Sequence, residues 1–167
     1  MKTSLIVLAT SALLLSSFTT SRNRDTKFAA EKTALQVIDA FKHESAAAYV
    51  ALFPNLVDFH TIMGLNSTWY GSNLDAAKKD FADHFDELDR ATFESFQDVI
   101  MNGKVAGIDW KSIKFVQASL DAEPTKSIDA AKLTIVFTAG ERSYSLCIDR
   151  AMWIRGEFKV SQFIELK

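Results

Sequence analysis

The feature that most constrains this chain is a change in its hydrophobic period near Gly107. Before this residue, apolar side chains recur every three or four positions, as on one face of an α-helix. After it they alternate with polar ones, as on a β-strand. Helices grouped ahead of strands are typical of an α+β domain with an antiparallel sheet. We therefore predict N-terminal helices packed on a curved, mostly antiparallel β-sheet.

Three helices are predicted in the first part of the chain. The first begins near Phe28, and a short second helix is stopped by Pro54. The third is the longest and runs over roughly residues 74 to 101. Asn73 is its predicted N-cap and Gly103 its predicted C-cap. The apolar face of the first helix is assigned to Ala34, Leu35, Ile38 and Phe41.

The segments between and after these helices are predicted from their turn residues. Residues 56–60 are interpreted as a short strand or extended run, and residues 66–73 as a loop. Three or four antiparallel strands are predicted after the helices. The turns that separate them are assigned to Glu123-Pro124, Ala139-Gly140-Glu141 and Arg155-Gly156-Glu157.

The N-terminus has the three-part pattern of a secretory signal peptide. Lys2 is followed by an apolar stretch from Leu5 to Leu15 and by small polar residues up to Ser21. The apolar stretch is too short to span a membrane. We predict a bacterial signal peptide over residues 1–21, and a periplasmic or secreted protein. The alternative is an uncleaved N-terminal anchor or a buried helix.

The remaining chain has the composition of one globular domain. We assign residues 22–27 to a disordered lead-in and residues 28–167 to a single domain. The full chain is 48% hydrophobic with a net charge of -2, and it has no run of Lys or Arg, which argues against nucleic acid as a partner. Cys147 is the single cysteine, so a disulfide scaffold is excluded and a buried thiol is expected. We expect no contact with a membrane once the leader is removed.

In the order of its elements and in several residues, the chain resembles the nuclear transport factor 2-like (NTF2-like) superfamily, in its SnoaL-like branch. They are Leu52-Phe53-Pro54, the extended run Val57-Asp58-Phe59-His60, Gly71, and a long helix with Ala76-Ala77 and Phe81. The resemblance covers roughly Phe28 to Lys167. It implies a curved sheet wrapped around the long helix, forming a cone with a pocket at its open end. It also implies either an isomerase-like or related enzyme or a non-enzymatic binding module.

Asp58 and His60 are the candidate catalytic residues. The resemblance implies that His60 corresponds to the strand histidine of SnoaL-like proteins, although Thr61 stands where an acidic residue often follows it. On a strand, residues two apart face the same side, and a carboxylate can then orient an imidazole as a general base. The alternative is that both are solvated polar residues on an edge strand.

Four residues are candidates for ligand binding. Trp69 and Tyr70 are interpreted as a lid over an apolar pocket or, equally, as a plug that caps the core. His84 lies at the edge of the apolar stripe of the long helix, where it lines a pocket or reaches solvent. Arg150 shares a strand face with apolar residues, so it binds an anion there or lies at the rim of the sheet; a bulge would reverse its direction. The apolar residues on that face are Leu146, Ile148, Met152 and Ile154.

These observations leave three functions open. The first is a non-catalytic module whose pocket binds a small, partly apolar ligand, and the second is a protein-interaction or homodimer module. The third is a SnoaL-like isomerase or hydrolase that uses Asp58 and His60. No cofactor is expected, and the scattered histidines do not have the spacing of a metal site. The sheet face proposed for the dimer carries Val116, Ala118, Cys147, Ala151 and Trp153.

Overall fold

The structure is a computed structural model that describes residues 25–125, 128–161 and 164–167. Within these ranges, six α-helices precede a curved, five-stranded antiparallel sheet, so the predicted α+β class is confirmed. Helix α1 covers residues 25–42. The other helices are α2 Ala46–Val50, α3 Leu56–Leu65, α4 Ser67–Tyr70, α5 Leu74–Asp83 and α6 Phe85–Val105, with 3₁₀ turns at Gly71–Asn73 and Trp110–Ser112. The strands are β1 Lys114–Leu120, β2 Ile128–Ala139, β3 Arg142–Ile154, β4 Glu157–Val160 and β5 Ile164–Leu166.

The sheet is built around the long hairpin of β2 and β3. Its order is β1-β2-β3-β4, and β5 pairs with the first half of β3 on the same edge as β4. The register shifts once at Val116 in β1 and once in β3, where Asp149 and Arg150 together face Lys132. Such bulges bend a strand and increase its twist, which accounts for the curvature.

The core lies between the inner face of the sheet and the helices α1, α2 and α6. Aromatic rings fill its centre. Phe41 lies 4.8 Å from Phe96 and 4.9 Å from Trp110, and Trp110 stacks on Phe137 at 5.7 Å between ring centroids. Tyr49 stacks on Phe96 at 5.1 Å, and none of these five side chains is more than 1% exposed. Stacked and tilted rings at these distances pack a core densely.

The predicted strand at residues 56–60 is wrong, because the chain forms helix α3 there. Asn55 accepts a hydrogen bond from the backbone N–H of Asp58 at 2.9 Å, and the Asp58 carboxylate accepts one from the backbone N–H of Asn55 at 3.2 Å. This reciprocal capping box satisfies two amides that a helix start leaves unpaired. The predicted loop at residues 66–73 is also wrong, since α4 and a 3₁₀ turn occupy it.

The predicted long helix is two helices, with the break at His84. The ring Nδ1 of His84 lies 2.8 Å from the carbonyl oxygen of Asp80, the acceptor that the backbone N–H of His84 would use in a continuous helix. That N–H instead donates to the carbonyl of Phe81. The side chain therefore competes with the helix for its acceptor, which ends α5.

Two residues near the helix ends also differ from expectation. Gly103 is not a C-cap but lies inside α6 against the indole ring of Trp110, and α6 ends at Val105. Leu35, assigned to the inner face of α1, is 48% exposed. Residues 25–27, assigned to the lead-in, are helical, whereas residues 22–24 and the leader 1–21 lie outside the described residues.

The bulge in β3 reverses the faces that strict alternation assigns. Before the bulge, Leu146 and Ile148 face the core, and after it Ala151 and Trp153 do so, opposite Val160 and Phe158 of β4. Met152 therefore does not lie on the core face, contrary to the prediction. Arg150 belongs to the bulge and is exposed. Of the alternatives given for Arg150, the anion site on the core face is not formed, and the reversal by a bulge is what the structure has.

Candidate functional site

Asp58 is buried and engaged in local structure. Only 6% of the residue is exposed, and its carboxylate closes the capping box of α3. The guanidinium of Arg155, in the turn between β3 and β4, lies 3.9 Å from the other carboxylate oxygen. Arg155 also donates a 2.8 Å hydrogen bond to the hydroxyl of Thr61 on α3. Asp58 thus holds the start of α3 and its contact with the sheet.

The helix separates the two candidate catalytic residues. At 100° per residue, Asp58 and His60 point about 200° apart around the axis of α3. The same-face arrangement expected from a strand is therefore not formed. His60 is half-buried, and its Nε2 is buried without a hydrogen-bond partner among the described residues. The pair does not have the geometry of a carboxylate-oriented general base.

The four candidate ligand-binding residues lie on separate elements. Trp69 is 82% exposed on α4, next to the half-buried Tyr70. His84 is exposed between α5 and α6, and Arg150 is exposed on the bulge of β3. Across residues 25–125, 128–161 and 164–167, no hydrogen bond, ion pair or ring contact joins the Trp69-Tyr70 pair, His84 and Arg150 to one another.

Two of the histidines have a role that the sequence analysis missed. His43 and His84 each follow an aspartate by four residues at the end of a helix, and each places Nδ1 within 3.0 Å of that aspartate's backbone carbonyl. Because a carbonyl only accepts, Nδ1 must carry the proton. The hydrogen bond and the charge of Asp80, with Glu87 and Asp83, raise the pKa of the exposed His84. The repeated spacing Asp-x-x-x-His was the available signal.

A groove between α1 and α2 was also missed. An open, largely apolar cleft of about 940 Å³ runs along the outer face of α1, floored by Leu35, Ala48 and Leu52. It continues into a smaller cavity of about 270 Å³ that reaches the turn before β4. An ion pair of 3.0 Å between Lys32 and Glu157 lies at this junction. The groove was not predicted because Leu35 was assigned to the core face of α1.

The sheet face proposed for a homodimer is only partly exposed. Val116 is 52% exposed, but Cys147 and Ala151 are buried, and Trp153 packs on Phe158 with 4.9 Å between ring centroids. A 2.7 Å ion pair between Lys132 and Asp149 lies on the outer side of the sheet. Their hydrogen bond lowers the pKa of Asp149 and raises the pKa of Lys132.

The described residues carry neither a cluster that could hold a metal ion nor a helix that could span a membrane. They contain no group of three or more His, Cys, Asp or Glu side chains placed to hold a metal ion. No helix in the described part of the chain combines the length and the apolar character needed to cross a bilayer.

Comparison with known proteins gives one structural similarity. No protein-family model and no curated protein matches the chain. In structure, the chain is similar to a cystatin-like protein from Ruminococcus gnavus ATCC 29149, with 14% sequence identity and a TM-score of 0.49. The match covers 89% of this chain and 47% of that one, so the chain spans about half the length of the solved structure that it resembles.

Proposed function

We propose that this chain is an exported, non-catalytic domain of the NTF2-like type that binds another protein through its outer surface. The observation that carries the proposal is the aromatic filling of the concave face of the sheet. A pocket at the open end of the cone needs space at that face. There, Tyr49, Phe96 and Trp110 are in contact with other rings and at most 1% exposed.

The polar candidates support binding outside the core. The Asp58 carboxylate is used by its helix cap and by Arg155, and Arg150 and Trp69 are exposed. A catalytic site needs an acid or base with access to a substrate that is held in place. The SnoaL-like enzyme hypothesis would need Asp58 and His60 to face one pocket, and α3 turns them apart.

Export is proposed on the sequence pattern of residues 1–21 and on the chemistry of the single thiol. Cys147 is 5% exposed, and a buried thiol is protected from oxidation in a periplasmic or extracellular setting. Mass spectrometry of the protein recovered from the periplasm or medium of a bacterial host tests this part. We expect a mature N-terminus at Arg22, and a chain retained in the cytoplasm with its Met1 intact would contradict export.

A small-molecule ligand is the second candidate function, and one observation favours it. The groove between α1 and α2 joins an apolar floor to the polar side chains of Lys32, Gln36 and Glu157. Ligand sites commonly combine apolar walls with a few polar groups. This candidate moves the predicted ligand from the interior of the cone to the outer side of α1.

An NMR titration of the ¹⁵N-labelled mature domain with a library of small apolar fragments separates these functions. For the proposed function, we expect the signals of Phe96, Trp110 and Phe137 to stay unchanged. Shifts confined to Leu35, Ala48 and Leu52 would favour the small-molecule candidate in the groove. Shifts centred on Trp110 and Phe137 would overturn the proposal, because they would require a ligand inside the cone.

A further inference from the structure

Helix α6 has an exposed apolar surface on the side that faces away from the core. Phe93 is 48% exposed, Met101 58% and Val105 87%. At 100° per residue, these three side chains fall within about 120° of one another around the helix. The inner face of α6 is formed by its buried residues, Thr92, Phe96, Val99, Ile100 and Gly103. Three exposed apolar side chains on one side of a long helix offer anchor points for a partner.

Acidic side chains share this outer face. Asp86, Glu94 and Asp98 lie within the same half-turn as the three apolar residues, by the same 100° spacing. We call the six residues Asp86, Phe93, Glu94, Asp98, Met101 and Val105 the α6 outer stripe. Residues 74–98 as a whole carry eight Asp or Glu against three Lys or Arg, while the entire chain has a net charge of only -2.

Two basic residues, Arg90 and Lys104, lie within the arc of the stripe by the same spacing, and both are already paired. Arg90 lies 4.0 Å from Glu94, and Lys104 lies 2.6 Å from Glu44 at the end of α1. Asp86 and Asp98 form no ion pair with the described residues. The three apolar side chains of the stripe therefore lie among charged residues, of which the acidic ones outnumber the basic ones.

This combination selects one kind of occupant. We propose that the α6 outer stripe docks a cationic amphipathic helix from another protein, an inference that rests on the proposed function of outer-surface binding. An amphipathic helix places apolar anchors at spacings of three, four and seven residues, which fit a row such as Phe93, Met101 and Val105. Lys or Arg on the flanks of the partner helix would then face Asp86 and Asp98.

Charge argues against a second copy of this chain as the occupant. An antiparallel pair of α6 helices that brings Phe93 onto Met101 of the other copy also places Arg90 opposite Lys104. The same register places Glu94 close to Asp98. Like charges that face each other across an interface oppose association. An anionic membrane surface is disfavoured for the same reason.

A designed peptide tests the proposal directly. The probe is a fluorescein-labelled, 18-residue helical peptide of Leu and Lys, with Leu at the i, i+3, i+4 and i+7 positions, and its control has every Lys replaced by Glu. We expect the Lys peptide to bind the mature domain and the Glu peptide to bind at least about tenfold more weakly, as measured by fluorescence anisotropy. Amide shifts should centre on α6, and binding should weaken as salt is raised.

Variants locate the binding surface. The double variant Phe93→Ser with Met101→Ser should weaken the Lys peptide by about tenfold or more, because both anchors are lost. Asp86→Asn with Asp98→Asn should weaken it less and should reduce the salt dependence. Leu65→Ser is the matched control, since it removes another exposed apolar side chain, at the end of α3 and outside the stripe, and should leave binding unchanged.

The contrary outcomes are distinct. Equal binding of the Lys and Glu peptides, or an equal loss in Leu65→Ser, would overturn the proposal. Analytical ultracentrifugation would also overturn it if the domain alone formed a dimer that the double variant Phe93→Ser with Met101→Ser dissociates. Binding of the domain to neutral phosphatidylcholine vesicles through these two residues would overturn it as well. Peptide shifts confined to the groove between α1 and α2 would overturn this surface while leaving outer-surface binding intact, whereas shifts at Trp110 and Phe137 would contradict both.

Discussion

At the scale of single residues, the contact between Gly103 and Trp110 shows how little room the core leaves. A Cβ atom added at Gly103 would overlap the indole ring of Trp110, which is 1% exposed and donates a 3.0 Å hydrogen bond to the carbonyl of Ile100. The ring cannot move away without losing that hydrogen bond or displacing Phe137. Glycine is therefore needed at position 103 for space and not for a special backbone conformation.

We predict that Gly103→Ala destabilises the domain by about 1–3 kcal/mol, the usual cost of overpacking a core. The matched control is Gly64→Ala in α3, where no atom lies within 4 Å of the added methyl group. That control should stabilise by up to about 1 kcal/mol, because alanine is the better helix former. Urea unfolding of both variants measures the difference, and equal effects at the two positions would contradict the packing described here.

Tyr49 gives the domain a dependence on alkaline pH. Burial raises the pKa of its phenol above the usual value of 10.0, and contact with the backbone of Ile164 offsets only part of this. The hydroxyl makes no hydrogen bond with the described residues. The folded state therefore keeps this proton at pH values where the unfolded chain has lost it.

The stabilising contribution of the neutral phenol is complete below pH 10 and is lost as the pH rises above it. We predict that the free energy of unfolding falls above pH 10, by up to about 1.4 kcal/mol per pH unit from this group. Tyr49→Phe should remove that part of the slope, and it is isosteric apart from the hydroxyl. Denaturation at pH 8, 10 and 11 is the measurement, and an unchanged slope in the variant would rule out Tyr49 as the cause.

His84 should titrate above its ordinary value of 6.5, because its Nδ1 is hydrogen-bonded to Asp80 and carboxylates surround it. The protonated form is favoured in the folded state, so its contribution is present at low pH and is lost as the pH rises through the folded pKa. We predict that Asp80→Asn lowers the pKa of His84 in an NMR titration. Asp25→Asn, which lies at the start of α1, is the control and should leave it unchanged.

At the scale of elements, α3 to α5 and the start of α6 form a helical unit that packs mainly on itself. Phe59 lies 4.5 Å from Phe81 and 6.2 Å from Phe85, measured between ring centroids. In α3 only Asp58 is buried, and α4 and α5 have no buried residue. Few buried contacts predict low local stability. Arg155, through Asp58 and Thr61, joins this unit to the sheet.

We predict that Arg155→Ala increases amide hydrogen exchange in α3 several-fold and leaves the exchange of β2 and β3 unchanged. The cost in global stability should stay below about 1 kcal/mol, because the ion pair is long and Arg155 is largely exposed. Arg150→Ala is the control, as an exposed arginine of the same strand pair outside this contact. Faster exchange in α3 for both variants, or for neither, would contradict the assigned role of Arg155.

Elements with a clear hydrophobic period were predicted correctly from the sequence. The prediction failed where a hydrogen bond from a local side chain decides whether a helix begins or ends. The change of period near Gly107 correctly separated helices from strands. Asp58 was misread because residues 56–60 were interpreted as an extended run, whereas the side chain of Asn55 caps a helix at this point. The break at His84 could not be read from the apolar stripe, since Phe81 and Phe85 continue it on both sides.

The candidate site was less predictable than the fold. Strict alternation along β3 placed Arg150 inward, and a single bulge reversed that assignment. The groove between α1 and α2 depends on Leu35 facing outward, which a helical wheel of α1 alone does not decide. Both errors concern which side of an element meets the core, and this is settled by packing between elements that are distant in sequence.

At the scale of the whole molecule, the aromatic centre and the outer surfaces have separate roles. Rings from α1, α2, α6, β2 and the 3₁₀ turn at Trp110–Ser112 close the concave side of the sheet. Apolar side chains that the core does not use remain exposed on α1, α4 and α6, at Phe28, Trp69, Phe93 and Met101. In the described part of the chain, these exposed apolar side chains lie outside the aromatic centre, where the proposed function needs them.

Hydrogen exchange at the tryptophan indoles tests this central claim most directly. The Nε1–H of Trp110 is buried and bonded to the carbonyl of Ile100, whereas Trp69 is 82% exposed. In a filled cone, the Trp110 indole should exchange slower than that of Trp69 by about 10³-fold or more, since exchange requires opening of the core. Similar exchange rates for the two indoles would show that water reaches the concave face, and would contradict the account.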